Sequence, residues 1–181
     1  MAGALRTIRI GLALLLLAGS GRALVLHSRD EALALAFPDA TEIQPLDFYL
    51  TPEQRSEIEH LARAKLDSNL ITVYAGYKDG QATGYALLDT HVVRTLPETL
   101  LIVLSPQGEV RATHLLAFYE PPEYAPPEAW LKKFAGKTLK RETEAGRTVD
   151  AIAGSTLTAR AAANAVTRAL AVYAVLLAER K

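Results

Sequence analysis

The sequence predicts an α+β fold: an antiparallel sheet of two hairpins covered by helices, with a long C-terminal helix. Three observations lead there. Two pairs of apolar runs rich in β-branched and aromatic residues are each joined by a short turn containing glycine. Capped segments of helical period come before them. An alanine-rich amphipathic run follows them and closes the chain.

The chain opens with Arg6 and Arg9, the apolar run Ile10 to Ala18, and the small residues of Gly-Ser-Gly-Arg-Ala. That order reads as a secretory signal peptide over 1–23, cut after Ala23, and implies an exported protein, periplasmic or on the outer face of the cytoplasmic membrane. Its apolar core is about half the ~20 residues that a membrane span needs. An uncleaved anchor running through Leu24 to Leu26 is the alternative, and Arg22 interrupts it.

Residues 24–69 read as an N-terminal helical extension. Ser28 and Glu31 form the two ends of a capping box for a helix that Pro38 stops. Thr51 caps a second helix, with Pro52 at its first position and Glu53 near its positive end. Ile58, Leu61, Ala62 and Leu66 mark its buried stripe.

The first hairpin joins Asn69–Tyr77 to Ala82–Asp89 around Asp79-Gly80. The second joins Glu98–Leu104 to Val110–Tyr119 through Ser-Pro-Gln-Gly-Glu. Four prolines then fall between Pro121 and Pro127, ahead of a short helix carrying Trp130 and Phe134 that ends at Gly136. Arg141 to Arg147 read as a solvated connection. In the final helix Ala162, Val166, Ala169, Leu170, Tyr173, Leu176 and Leu177 fall on one face, and Arg160, Asn164, Thr167 and Arg168 opposite.

Composition narrows the function. Of 181 residues half are hydrophobic, and Lys+Arg and Asp+Glu number 20 each, so no basic stripe invites nucleic acid. Without Arg6, Arg9 and Arg22 the balance is 17 basic to 20 acidic. There is no cysteine, which excludes disulfides, Cys-ligated iron–sulfur clusters and covalently attached haem. The four histidines, His27, His60, His91 and His114, lack metal-ligand spacing and read as structural. No G-x-S-x-G elbow occurs.

One stretch carries chemistry. Asp150-Ala-Ile-Ala-Gly-Ser-Thr-Leu-Thr158 opens the last helix with more hydroxyls than one cap requires. Ser155 or Thr156 can cap that helix, a contribution of about 1 kcal/mol. The same geometry suits a phosphate, because free N–H groups and the helix dipole face whatever stands before them. Gly154 allows close backbone approach. Spacing alone leaves both readings open.

The stretch resembles the flavinylation motif of the FMN-binding domain family, approximately D-x-x-[ST]-G-[AS]-[TS] followed by a hydrophobic residue and threonine. Gly84-Tyr85-Ala86, Gln107-Gly108-Glu109-Val110 and Glu120-Pro121-Pro122 stand where that family carries its hairpin and Glu-Thr-Pro elements. The likeness covers roughly Leu70 to Tyr173 and makes 70–181 the FMN-binding domain. Ala153 stands where serine or threonine is usual, and Ser155 where alanine is common.

The resemblance implies an FMN-carrying electron-transfer protein more than a self-contained enzyme. It implies flavin joined through its phosphate to Thr156, with Gly154, Ser155, Leu157 and Thr158 around it. Asp150 would position the motif for a flavin transferase, a transient partner using FAD and a divalent metal. Glu120 would hydrogen-bond the flavin. Membrane or periplasmic redox partners would exchange the electrons. Tyr124 and Trp130 read as loop anchors, with stacking on the ring as the alternative. A non-redox module of the same fold that has lost flavin is the alternative function.

Overall fold

The structure is a computed structural model and describes residues 24–139, 152 and 154–179. The signal-peptide segment, the Arg141–Arg147 connection and Asp150 lie outside them.

Local chemistry sets the first two helices. In α1 (Arg29–Ala36) the Ser28 hydroxyl accepts from the Glu31 amide while the Glu31 carboxylate accepts from the Ser28 amide, so the capping box is complete. In α2 (Pro52–Ala62) Thr51 and Gln54 make the same reciprocal pair, with Pro52 at the helix start. Sequence periodicity carries this helix on to Leu66, but it stops at Ala62, where Arg63 takes a left-handed conformation with φ 52°. The following loop is held by side chains of α2 instead: Glu59 accepts from the Leu66 amide, and Arg55 donates to the Leu66 carbonyl.

The sheet has six strands rather than four. Their order is β1 (Leu24–Val25), β6 (Val110–Phe118), β5 (Pro97–Leu104), β4 (Gln81–Val92), β3 (Leu70–Lys78) and β2 (Glu42–Tyr49), every neighbour antiparallel. Both hairpins form as expected, and Asp79 and Gly80 take positive φ at the first turn. The two additional strands, β1 and β2, come from the segment read as helical. They are edge strands, and β2 is mostly exposed and carries Pro45, so it lacks the alternation of a half-buried strand.

The sheet is also split. β3 pairs with β4 from Tyr74↔Ala86 to Lys78↔Gln81 and no further. Continuing that ladder would pair Ile71 with Asp89 and Leu70 with Thr90. Instead β3 stays with β2 and β4 stays with β5. A cleft of about 340 Å³ opens between the two walls, bounded by Leu70, Ile71, Thr72, Leu87, Leu88 and Thr90, with Ala169 and Val172 closing one side.

Each face of the sheet carries a core. On one, α4 (Thr156–Leu176) and α2 cover Leu87, Leu100, Ile102 and Leu104 through Ala162, Val166, Ala169, Leu170 and Ile58. On the other, Ala32 and Ala36 of α1 and Phe37 just after it cover Ala86, Leu101, Val103 and Leu116. All seven residues expected on the apolar face of α4 are buried. Among the described residues no helix is long and apolar enough to cross a membrane.

The far end of α4 is fixed by the β5–β6 turn. Gly108 has φ +81° and lies so close to the Tyr173 ring that a Cβ would stand 2.2 Å from it. The Tyr173 hydroxyl donates to the Pro106 carbonyl at 2.8 Å. After β6 the proline-rich segment makes one 3₁₀ turn (Pro122–Tyr124) before the short helix α3 (Glu128–Leu131). Trp130 is buried there, edge-on to Phe134 with centroids 5.2 Å apart, which makes it a core anchor.

Candidate functional site

The motif at the start of α4 sits where three distant segments meet. Gly154, Ser155, Thr156, Leu157 and Thr158 line a cleft of about 200 Å³ with Val93 and Arg94 from the β4–β5 turn and with Glu120 and Tyr124 from the segment after β6. Six of the seven residues singled out in the sequence thus meet in one place. The seventh, Asp150, lies outside the described residues.

The capping reading fails its geometric test. Ser155 occupies the N-cap position but makes no side-chain capping bond. Its carbonyl accepts from the Ala159 amide, leaving the amides of Thr156, Leu157 and Thr158 outside the intrahelical ladder. Yet Ser155 is only 4% exposed. The buried Ser155 and the uncapped helix start line the cleft together, and N–H groups at a helix start are the donors that an anion requires. Gly154 has φ +75°, and among the described residues a Cβ there would meet nothing within 4 Å. Thr156 is exposed and Thr158 buried.

Glu120 fastens the turn across the cleft. Its Oε1 accepts from the amides of Thr95 at 2.7 Å, Leu96 at 2.8 Å and Arg94 at 3.2 Å. Those bonds, with the Thr95 and Leu96 amides contributing most, hold its carboxyl below the usual glutamate range. Glu120 binds the β4–β5 turn and fixes it against the α4 start. Tyr124 lies beneath the guanidinium of Arg94, 5.0 Å from ring centroid to Cζ.

Behind the cleft runs an ionic chain that the sequence reading passed over. His91 and Asp89 are two apart on the α4-facing side of β4, and Glu98 is directly opposite His91 on β5. His91 Nδ1 lies 2.7 Å from Asp89 Oδ1 and Nε2 2.7 Å from Glu98 Oε1. From α4, Arg168 grips Asp89 through Nε at 2.9 Å and Nη2 at 2.6 Å. Burial alone would lower the His91 pKa, but the bonds to Asp89 and Glu98 outweigh it and raise it to about 9. Burial would raise the Asp89 pKa, and the His91 and Arg168 bonds overcome that and lower it. At neutral pH His91 is therefore an imidazolium donating to both carboxylates. Glu98 is fully buried, and its Oε2 has no partner among the described residues. The Asp-x-His alternation is visible in sequence, whereas the pairing with Glu98 depends on hairpin register.

His91, Arg168, Arg160 and Asn164 border a second groove of about 210 Å³ that shares Val93 and Leu157 with the first. The first cleft is smaller than the ~300 Å³ at which pockets begin to enclose whole ligands. It suits the anionic end of a longer molecule lying out along the adjoining groove.

Fold and site together define an α+β domain with a cleft, lined by Arg94 and the helix-start residues, at the beginning of its longest described helix. Residues 68–171 match the family model of the FMN-binding domain, and the chain belongs to that family. Among solved structures it is similar to Shewanella oneidensis NqrC, with 15% identity, a TM-score of 0.49, and coverage of 72% of this chain and 78% of that one. No curated protein sequence matches the chain.

Proposed function

We propose that this protein is exported and carries FMN as a phosphoester on Thr156, relaying electrons between membrane or periplasmic redox partners. The observation that carries this reading is the uncapped start of α4, where the buried Ser155 and the first residues of the helix line a cleft that includes the exposed Thr156. The donor set fits a phosphate, and family membership supports FMN as its bearer. Bound flavin would supply the redox chemistry, while the protein supplies attachment, orientation and electrostatic environment.

Attachment would be made by a flavin transferase acting on FAD. The Thr156 oxygen displaces AMP from the pyrophosphate, forming one P–O bond as another breaks, and the hydroxyl proton leaves to solvent. Gly154, Ser155, Leu157 and Thr158 seat the phosphate, Glu120 holds the facing turn, and Asp150 serves the transferase.

The test is co-expression with an active flavin transferase, denaturation, intact-mass measurement and in-gel flavin fluorescence. The expected result is a gain of FMN less one water, absent in Thr156→Val. Bare-chain mass, with the transferase active on a control substrate, overturns covalent attachment. If that chain also binds no free FMN, the non-redox module becomes the better reading.

A further inference from the structure

We infer that Arg94 is the phosphate-selecting residue of the cleft, and that Glu120 and Tyr124 are the two residues that position it. This deepens the FMN reading and rests on it.

Arg94 is the only cation lining the cleft among the described residues. It sits on the β4–β5 turn, across from the open start of α4. Among the described residues its guanidinium contacts the face of Tyr124 and pairs with no carboxylate. A cation–π contact holds the guanidinium over the ring face without using its N–H donors in hydrogen bonds to a carboxylate, so the fork remains available to an anion. Its backbone is fixed separately, because the Glu120 carboxylate collects the amides of Arg94, Thr95 and Leu96. Glu120 therefore presents Arg94 through the main chain, without pairing with its charge.

The opposite wall needs such a cation. Helix-start amides and Ser155 offer neutral donors, whereas the phosphodiester on Thr156 would carry one full negative charge and free FMN, a monoester, about −1.5 to −2 at neutral pH. A guanidinium fork supplies the missing countercharge in a geometry matched to phosphate oxygens. The consequence is discrimination: the cleft takes flavin bearing a phosphate and discards riboflavin, which offers the same ring and ribityl chain without the charge.

The test uses the full chain carrying Thr156→Val, so that binding stays reversible. FMN and riboflavin are titrated separately by flavin fluorescence, and the ratio of their affinities is the readout. Arg94→Gln should shrink the preference for FMN by about 10- to 100-fold, the loss expected for a hydrogen-bonded charge pair. Arg94→Lys should retain part of it, because a point charge replaces the fork. Tyr124→Leu and Glu120→Gln should give intermediate losses that shrink as salt rises. An unchanged ratio in Arg94→Gln, with FMN still bound, overturns the inference and leaves the flavin reading standing. Absence of binding by both flavins overturns this inference alone if the wild-type chain is flavinylated by active transferase, and the flavin reading with it if that chain keeps its bare mass.

Discussion

The carboxylate of Glu120 meets the backbone amide of Thr95 at 2.7 Å across 25 positions of the chain. A loop acid thereby becomes the fastening of the turn that faces the motif. Glu120→Gln keeps an acceptor but loses its charge, so the Thr95 and Leu96 amides should exchange faster with solvent. Because the folded-state pKa of Glu120 is depressed, its contribution is complete above the ordinary glutamate value and disappears as pH falls through the depressed one. An amide-shift titration of Thr95 and Leu96 from about pH 6 to about pH 2 checks this against the ordinary glutamate pKa. A midpoint at or above that value contradicts it.

His91 sets the opposite pH limit. Its folded pKa is raised from 6.5 to about 9, so its stabilisation is fully present below 6.5 and is lost as pH rises through about 9. The shift corresponds to a loss on the order of 3 kcal/mol. Urea unfolding at about pH 6 and about pH 10, on either side of the shifted pKa, should show that drop, and His91→Gln should flatten it. An equally steep loss in the variant would assign the alkaline instability elsewhere.

Two serines at helix starts should behave differently. Ser28→Ala breaks a complete capping box and should cost about 1 kcal/mol. Ser155 makes no capping bond, so Ser155→Ala should change stability by less than about 0.5 kcal/mol while weakening the binding of free FMN in a Thr156→Val background. Chemical denaturation of both proteins decides it, and equal losses would restore Ser155 as an ordinary cap.

Gly108→Ala should be severe for a surface turn. The added carbon would stand 2.2 Å from the Tyr173 ring at a φ of +81°. Overpacking and backbone strain together imply a loss of about 2–4 kcal/mol, visible as a lower Tm. An unchanged Tm would mean that α4 can shift away from the turn freely.

What could be read from the sequence was local. Ser28 with Glu31 and Thr51 with Pro52 announce their helices within four residues, and Asp79-Gly80 announces its hairpin. The motif on α4 is contiguous and stands out through its resemblance to a family pattern, whereas its spacing alone leaves a simple cap open. Contacts spanning the fold were not legible in the same way. β2 is an exposed edge carrying Pro45, so no periodicity marks it. The Glu98–His91–Asp89–Arg168 chain depends on strand register and on how α4 lies over β4. Glu120 was singled out, but its partners at Arg94 to Leu96 belong to a turn with no motif of its own. Thus the α4 motif could be found by reading, while the wall facing it could not.

The parting of β3 from β4 gives the molecule a seam. Beyond Tyr74 and Ala86 the β2–β3 ribbon is joined to the rest of the sheet by no ladder, so its amide protons can be lost to solvent through an opening that spares β4, β5 and β6. The turn at Val92–Pro97 and the start of α4 belong to the sturdier side. A fluctuation that lifts the outer ribbon leaves the cleft at Thr156 intact, so one side of the domain keeps its shape while the other opens.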